Sequence, residues 1–111
     1  MDRLQAAVGR ARELAGASAL AELTDPVLRR VTRAYVREGS VSTMPRGGPK
    51  RTALLEYLVT AFEPGLHYPE TEVNEVVGQW HPDVAMVRRY LVDEGLLDRA
   101  EGEYWRCGGP L

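Results

Sequence analysis

Leu4, Ala7, Val8, Ala11, Leu14 and Ala15 recur at the three-and-four spacing of one helix face. The pattern predicts an amphipathic helix over residues 2 to 15, with Asp2 suiting the dipole of its first turn and Gly16 ending it. A second helix has its start written in Thr24-Asp25-Pro26, where Asp25 can cap and Pro26 loses nothing by lacking an amide hydrogen. Val27, Leu28, Val31, Ala34 and Tyr35 then share a face as far as Gly39, while Arg29, Arg30, Arg33 and Arg37 occupy the opposite one. Val41-Ser42-Thr43-Met44 alternates briefly like a strand, and Pro45-Arg46-Gly47-Gly48-Pro49 reads as a loop.

Beyond that loop, Leu54, Leu55, Leu58, Val59 and Phe62 form an apolar stripe predicting a helix from about Lys50 to Phe62, stopped by Glu63-Pro64-Gly65. Leu66-His67-Tyr68 is long enough only for a short strand. Val73, Val76, Val77 and Trp80 mark the buried face of a helix from Pro69 or Glu70 to Gln79, and after a break at His81-Pro82 the spacing resumes with Val84, Val87 and Leu91 until Gly95. Two short helices across a tight break make a helix-turn-helix. Leu96 to Arg99 and Tyr104 to Arg106 flank Ala100-Glu101-Gly102-Glu103 as two strands of a hairpin, the wing. The expected fold is therefore α+β and mainly helical: a winged helix-turn-helix over residues 50–111, with residues 1–49 supplying N-terminal helices and a strand for packing or dimerisation, all within one compact domain. Val84, Val87, Leu91, Leu96, Leu58, Phe62, Val73 and Val77 are expected in one core, and of Tyr104 and Trp105 one ring should face that core while the other covers the second motif helix.

Composition changes this picture in three ways. The chain of 111 residues has no run approaching a membrane span and no apolar export core, so a soluble cytoplasmic protein is expected. Its single cysteine, Cys107, cannot close an intrachain disulfide, and His67, His81 and Cys107 are spaced unlike any metal motif. No metal, no cofactor and no enzymatic activity are expected, since nucleophile, phosphate-loop and paired-carboxylate motifs are missing too. Finally, the net charge of −2 is divided unevenly: residues 1–45 carry seven Arg against five acids, and residues 46–111 carry seven Lys and Arg against eleven acids. Affinity for nucleic acid comes largely from Lys and Arg displacing counterions, so any contact made by the winged half needs a local basic patch.

The candidates for that patch follow from the helix phase. With Val84, Val87 and Leu91 inward, the second motif helix turns Pro82, Asp83, Ala85, Met86 and Arg89 outward, with Arg88 at the margin. Arg89 can read guanine, Arg88 can hold a phosphate, and Asp83 can accept from a cytosine amine. Alternatively Arg88 and Arg89 pair with Asp93, Glu72 or Glu75 as ordinary surface ion pairs. Arg46, Lys50 and Arg51 gather at a helix start, while the wing offers Arg99 and Arg106 behind an unfavourably acidic tip at Glu101 and Glu103. Asn74, polar and mid-helix, suits a hydrogen bond to the turn backbone. Leu4, Val8, Ala11 and Leu14 are the candidate homodimer seam.

The residues filling this frame also resemble a known family. Phe62-Glu63-Pro64-Gly65, Tyr68, Glu72-Val73-Asn74-Glu75, the run from Arg88 to Arg99, Gly102 and Tyr104-Trp105-Arg106 are together similar to the bacterial domain of unknown function 2087, as is the upstream stretch from Tyr35 through Pro45 to Lys50-Arg51. Relatives commonly place Thr or Ser where this chain has Pro69, so a hydroxyl cap is lost here. In that family the domain often stands alone or follows an ArsR-type regulator domain. The resemblance thus implies a transcriptional role, and together with the helix-turn-helix and the amphipathic first helix the expectation is a homodimeric regulator binding double-stranded DNA; the competing expectation is a winged-helix module whose acidic surface binds a protein partner.

Overall fold

The computed structural model describes residues 2–37, 40–41 and 44–110, the side chains of Ala17, Ser18, Arg37 and Ser40 excepted. The first helix, α1 (Arg3–Leu14), begins where Asp2 accepts from the Gln5 backbone N–H at 2.8 Å, a capping bond that satisfies one of the amides a helix start leaves open. A short helix α2 (Ala17–Ala21), with no counterpart in the expected elements, follows. In α3 (Pro26–Tyr35) the Asp25 carboxylate caps as expected, accepting from the N–H groups of Val27 and Leu28.

The end of α3 is a correction. Its 3.6-residue stripe was expected to run to Gly39, a residue outside those described, but the helix stops at Tyr35 and the chain enters strand β1 (Val36–Arg37), antiparallel to β2 (Ser40–Val41). β-Branched Val36 takes extended backbone readily, and both Val36 and Val41 are buried there. Of the strand expected over Val41 to Met44, Ser42 and Thr43 lie outside the described residues.

Next, α4 (Gly48–Val59) is followed by tight turns in which Thr60, Ala61 and Phe62 each donate to the carbonyl three residues back. β3 (His67–Pro69) leads directly into α5 (Glu70–Val77), whose Pro69 cap makes no side-chain bond, and α6 (Val84–Asp93) comes after the turn. β4 (Leu97–Ala100) and β5 (Glu103–Arg106) form a hairpin whose two linking residues, Glu101 and Gly102, both have positive φ, as a tight two-residue turn of this twist requires. β5 lies in the middle of the three-stranded antiparallel sheet, with β3 on its other edge and Tyr68 opposite Tyr104. The architecture is α+β and mainly helical, and it contains the helix, strand, helix, turn, helix, hairpin order expected from the sequence.

Phe62, Tyr68 and Trp80 make the aromatic centre, Phe62 meeting the other two rings edge to face at 5.2 and 6.4 Å. Leu58, Val73, Val77, Val87, Leu91 and Leu96 join the same core, while Val84 is half-buried against it. α1 belongs to this core as well. Its Ala11 carbonyl accepts from the Trp80 indole N–H at 3.1 Å, its Leu14 carbonyl accepts from the Tyr57 hydroxyl, and Arg10 Nε donates to the Ala61 carbonyl at 2.9 Å.

Candidate nucleic-acid interface

α6 is oriented by its ends and by its apolar stripe. Asp83 stands at the N-cap, its carboxylate accepting from the Met86 N–H at 3.1 Å while its own N–H donates to His81 Nδ1 at 2.9 Å. The carboxylate expected to meet a base is therefore engaged in starting the helix. Met86, also expected outward, is half-buried against the core because the helix sits deeper than a three-residue stripe implies. The outer ridge that remains is Ala85, Arg89 and Asp93, one turn apart.

Arg89 has no carboxylate paired with it among the described residues, and its guanidinium carbon lies 5.7 Å from the Tyr90 ring centre. The same ring is covered by Arg51 at 4.2 Å. Arg51 is not a free phosphate ligand: its Nε meets Glu94 at 2.9 Å, NH1 donates to the Arg46 carbonyl at 2.9 Å, and Glu94 also accepts from the Thr52 hydroxyl. This cluster clamps the first turn of α4 to the end of α6, leaving Arg46 and Lys50 exposed beside it. Neither Tyr90 nor Glu94 is among the residues expected from the sequence, though their four-residue separation places them on one side of α6.

Arg88 turns the other way. Its NH1 donates to Asn74 Oδ1 at 2.5 Å, its Nε lies 3.6 Å from Glu70, and its guanidinium carbon lies 5.9 Å from the Tyr104 ring. Glu70 also accepts from the Tyr104 hydroxyl at 2.8 Å, so α5, α6 and the hairpin share one polar network. Ion pairing with an acid of the preceding helix, one of the two expectations for Arg88, is what the structure shows, the acid being Glu70; Asn74 holds this arginine instead of the turn backbone. On the hairpin, Arg99 is exposed, whereas Arg106 is tied down, donating to the carbonyls of Gly108, Phe62 and Pro110. Partial burial lowers the Arg106 pKa from its ordinary value, and a guanidinium held by three carbonyls is unavailable to a phosphate. Tyr104 faces the core, but Trp105 stacks on His67 at 4.5 Å and so does not cover α6.

Over residues 40–106 the chain matches the profile of a family described as an uncharacterized protein conserved in bacteria (DUF2087). The chain belongs to this family. The searches of curated proteins and of solved structures found no match. The matched part of this DUF2087 member starts at β2 and ends with β5, so α1, α2 and α3 lie outside it.

Those flanking helices decide the remaining candidates. Ala11, expected in a dimer seam, is wholly buried against its own chain and cannot reach a second copy. Leu4, Val8 and Leu14 are half-buried against the same core, because α1 spends most of its stripe on α4 and α5. Burial likewise pushes the Tyr57 phenol pKa up beside the Leu14 carbonyl. The Cys107 thiol donates to the Gly95 carbonyl at 3.2 Å; burial, then Asp98, raises its pKa against a backbone hydrogen bond that lowers it. Among the described residues no three His, Cys, Asp or Glu side chains gather into a metal site, and no helix is long and apolar enough to cross a membrane.

Proposed function

We propose that this DUF2087 member is a bacterial transcriptional regulator that binds double-stranded DNA as a winged helix, α6 entering the major groove and the β4–β5 hairpin acting as the wing. The observation that carries the reading is Arg89, exposed on the outer ridge of the second motif helix with no carboxylate partner among the described residues and adjoining the cations at the start of α4. A guanidinium so placed suits bidentate reading of guanine, and Arg46 and Lys50 suit the flanking phosphates. Arg99 is the wing's remaining candidate. A homodimer addressing two half-sites would use the accessible part of α1, where Leu4 and Val8 line a groove of about 500 Å³ together with Gly9 and Arg12.

A second reading is a protein-interaction module, supported by the exposed Glu101 and Glu103 at the hairpin tip, which repel phosphate and suit a basic partner surface. Binding of a labelled genomic DNA pool across a salt series separates the two. DNA recognition requires binding that weakens steeply with salt and a sequence preference lost in Arg89→Ala, at a cost of about 1 to 3 kcal/mol for the selected site. Equal binding of the selected site by Arg89→Ala and the parent protein at physiological salt would return Arg89 to the plain surface and favour the second reading.

A further inference from the structure

Among the described residues, three exposed arginines share one helix face outside the family match. Arg29, Arg30 and Arg33 are all exposed on α3, and among the described residues none of them has an ion pair or a side-chain hydrogen bond. The Asp25 carboxylate at the start of the helix caps it, Oδ1 accepting from the N–H groups of Val27 and Leu28, and it forms no ion pair with these arginines among the described residues. Arg29 and Arg33, one turn apart, form a ridge between two shallow recesses of about 340 and 230 Å³. One recess is floored by Leu20, Thr32 and Val36, the other edged by Pro26 and Arg30. The Thr32 hydroxyl already donates to the Arg29 carbonyl at 3.1 Å, which leaves the guanidinium groups as the donors the ridge offers to a ligand.

We infer that the Arg29, Arg30 and Arg33 face of α3 is a second DNA contact, gripping the phosphate backbone without reading bases. Guanidinium forks match phosphate oxygens bidentately, whereas among the described residues the lining of these recesses offers no convergent set of donors and acceptors to fix a small ligand. The charge distribution points the same way. Residues 46–111 have a four-charge excess of acids, and internal contacts hold Arg51, Arg88 and Arg106. Arg46, Lys50, Arg89 and Arg99 are the exposed cations that remain in that half to release counterions, and α3, which packs directly on α4, the helix that carries Lys50 in its first turn, adds three more.

This inference rests on the DNA reading, and one titration separates their failures. Fluorescence anisotropy of a labelled random-sequence duplex and of a duplex selected by the protein, from about 50 to 200 mM salt, is compared for the parent, Arg89→Ala and the triple variant Arg29→Gln, Arg30→Gln, Arg33→Gln. The triple variant should lower the slope of log affinity against log salt by about two to three units and weaken both duplexes alike. The triple replacement by Lys keeps the charge and should keep the slope, which distinguishes phosphate contact from damage to the fold. An unchanged slope in the Gln variant, with Arg89→Ala losing sequence preference, overturns the α3 contact and leaves the DNA reading standing. A parent protein that fails to bind either duplex at low salt overturns both. A slope reduced by the α3 variant while Arg89→Ala is silent supports the α3 contact and removes α6 as the reader.

Discussion

The half built from α5, α6 and the hairpin and the helix α3 are both rich in arginine, yet the first ties down Arg88 and Arg106 and leaves only Arg89 and Arg99 exposed, whereas α3 exposes all three of its own. In the first, Arg88 joins Asn74, Glu70 and Tyr104, Arg106 closes on three carbonyls, and Arg51 reaches over from α4 to Glu94. In the second, Arg29, Arg30 and Arg33 stand in solvent. A charge count treats these residues alike. What separates them is whether a carboxylate or carbonyl from another element lies within reach of the guanidinium, because a cation already bonded and partly desolvated has little left to offer a phosphate.

The largest expected effect concerns what holds the first half together. Removing residues 1–16 takes away the Ala11 carbonyl that Trp80 donates to, the Leu14 carbonyl that Tyr57 donates to, and the cover over a fully buried aromatic centre. Loss of the cooperative thermal transition is expected, rather than the folded monomer that a detachable dimerisation helix would leave. A sharp melt for the truncated chain in calorimetry would show that α1 is an accessory and that the family-matched part stands alone.

A smaller effect belongs to the α4–α6 clamp. Replacing Glu94 by Ala strands Arg51, only 20 % exposed, and takes an acceptor from Thr52, which should cost about 1 to 3 kcal/mol in a urea titration. A change below about 0.5 kcal/mol would place Arg51 among the loose cations and return it to the phosphate-binding candidates.

Much of the frame was legible in the chain. The stripes through Leu54, Leu58 and Phe62 and through Val87 and Leu91 are local and periodic, and Asp25 beside Pro26 is a local start signal. Other features lay beyond a periodic reading. α2 spans only five residues, too few for a period to register, and Val36 continues the stripe of α3 while its backbone has already become extended. The fate of the arginines was hidden for a different reason. Arg88 meets Asn74 fourteen residues away, Arg51 meets Glu94 at forty-three, and Arg106 meets Phe62 at forty-four, contacts that exist only once the elements have packed. Asp83 shows the same blindness in miniature: its position in the motif suggested DNA, yet its bond to Met86 is a helix cap.

The finest test compares two neighbours in the chain, Arg88 and Arg89, which the helix turn sends to opposite fates. Arg88→Ala removes the donor to Asn74 and should cost about 1 kcal/mol, most of it from that bond, since Glu70 is 49 % exposed and its ion pair is screened by solvent. Arg89→Ala breaks no bond among the described residues, and its stability should stay within about 0.5 kcal/mol of the parent. DNA binding should rank the pair in reverse, with Arg89→Ala losing sequence preference and Arg88→Ala keeping it once its lower stability is allowed for. Urea titrations and anisotropy on the same two proteins supply both orderings. If Arg89→Ala proves the less stable variant while Arg88→Ala loses the DNA, the phase assigned to α6 is rotated by a residue and the outer ridge passes from Arg89 to Arg88.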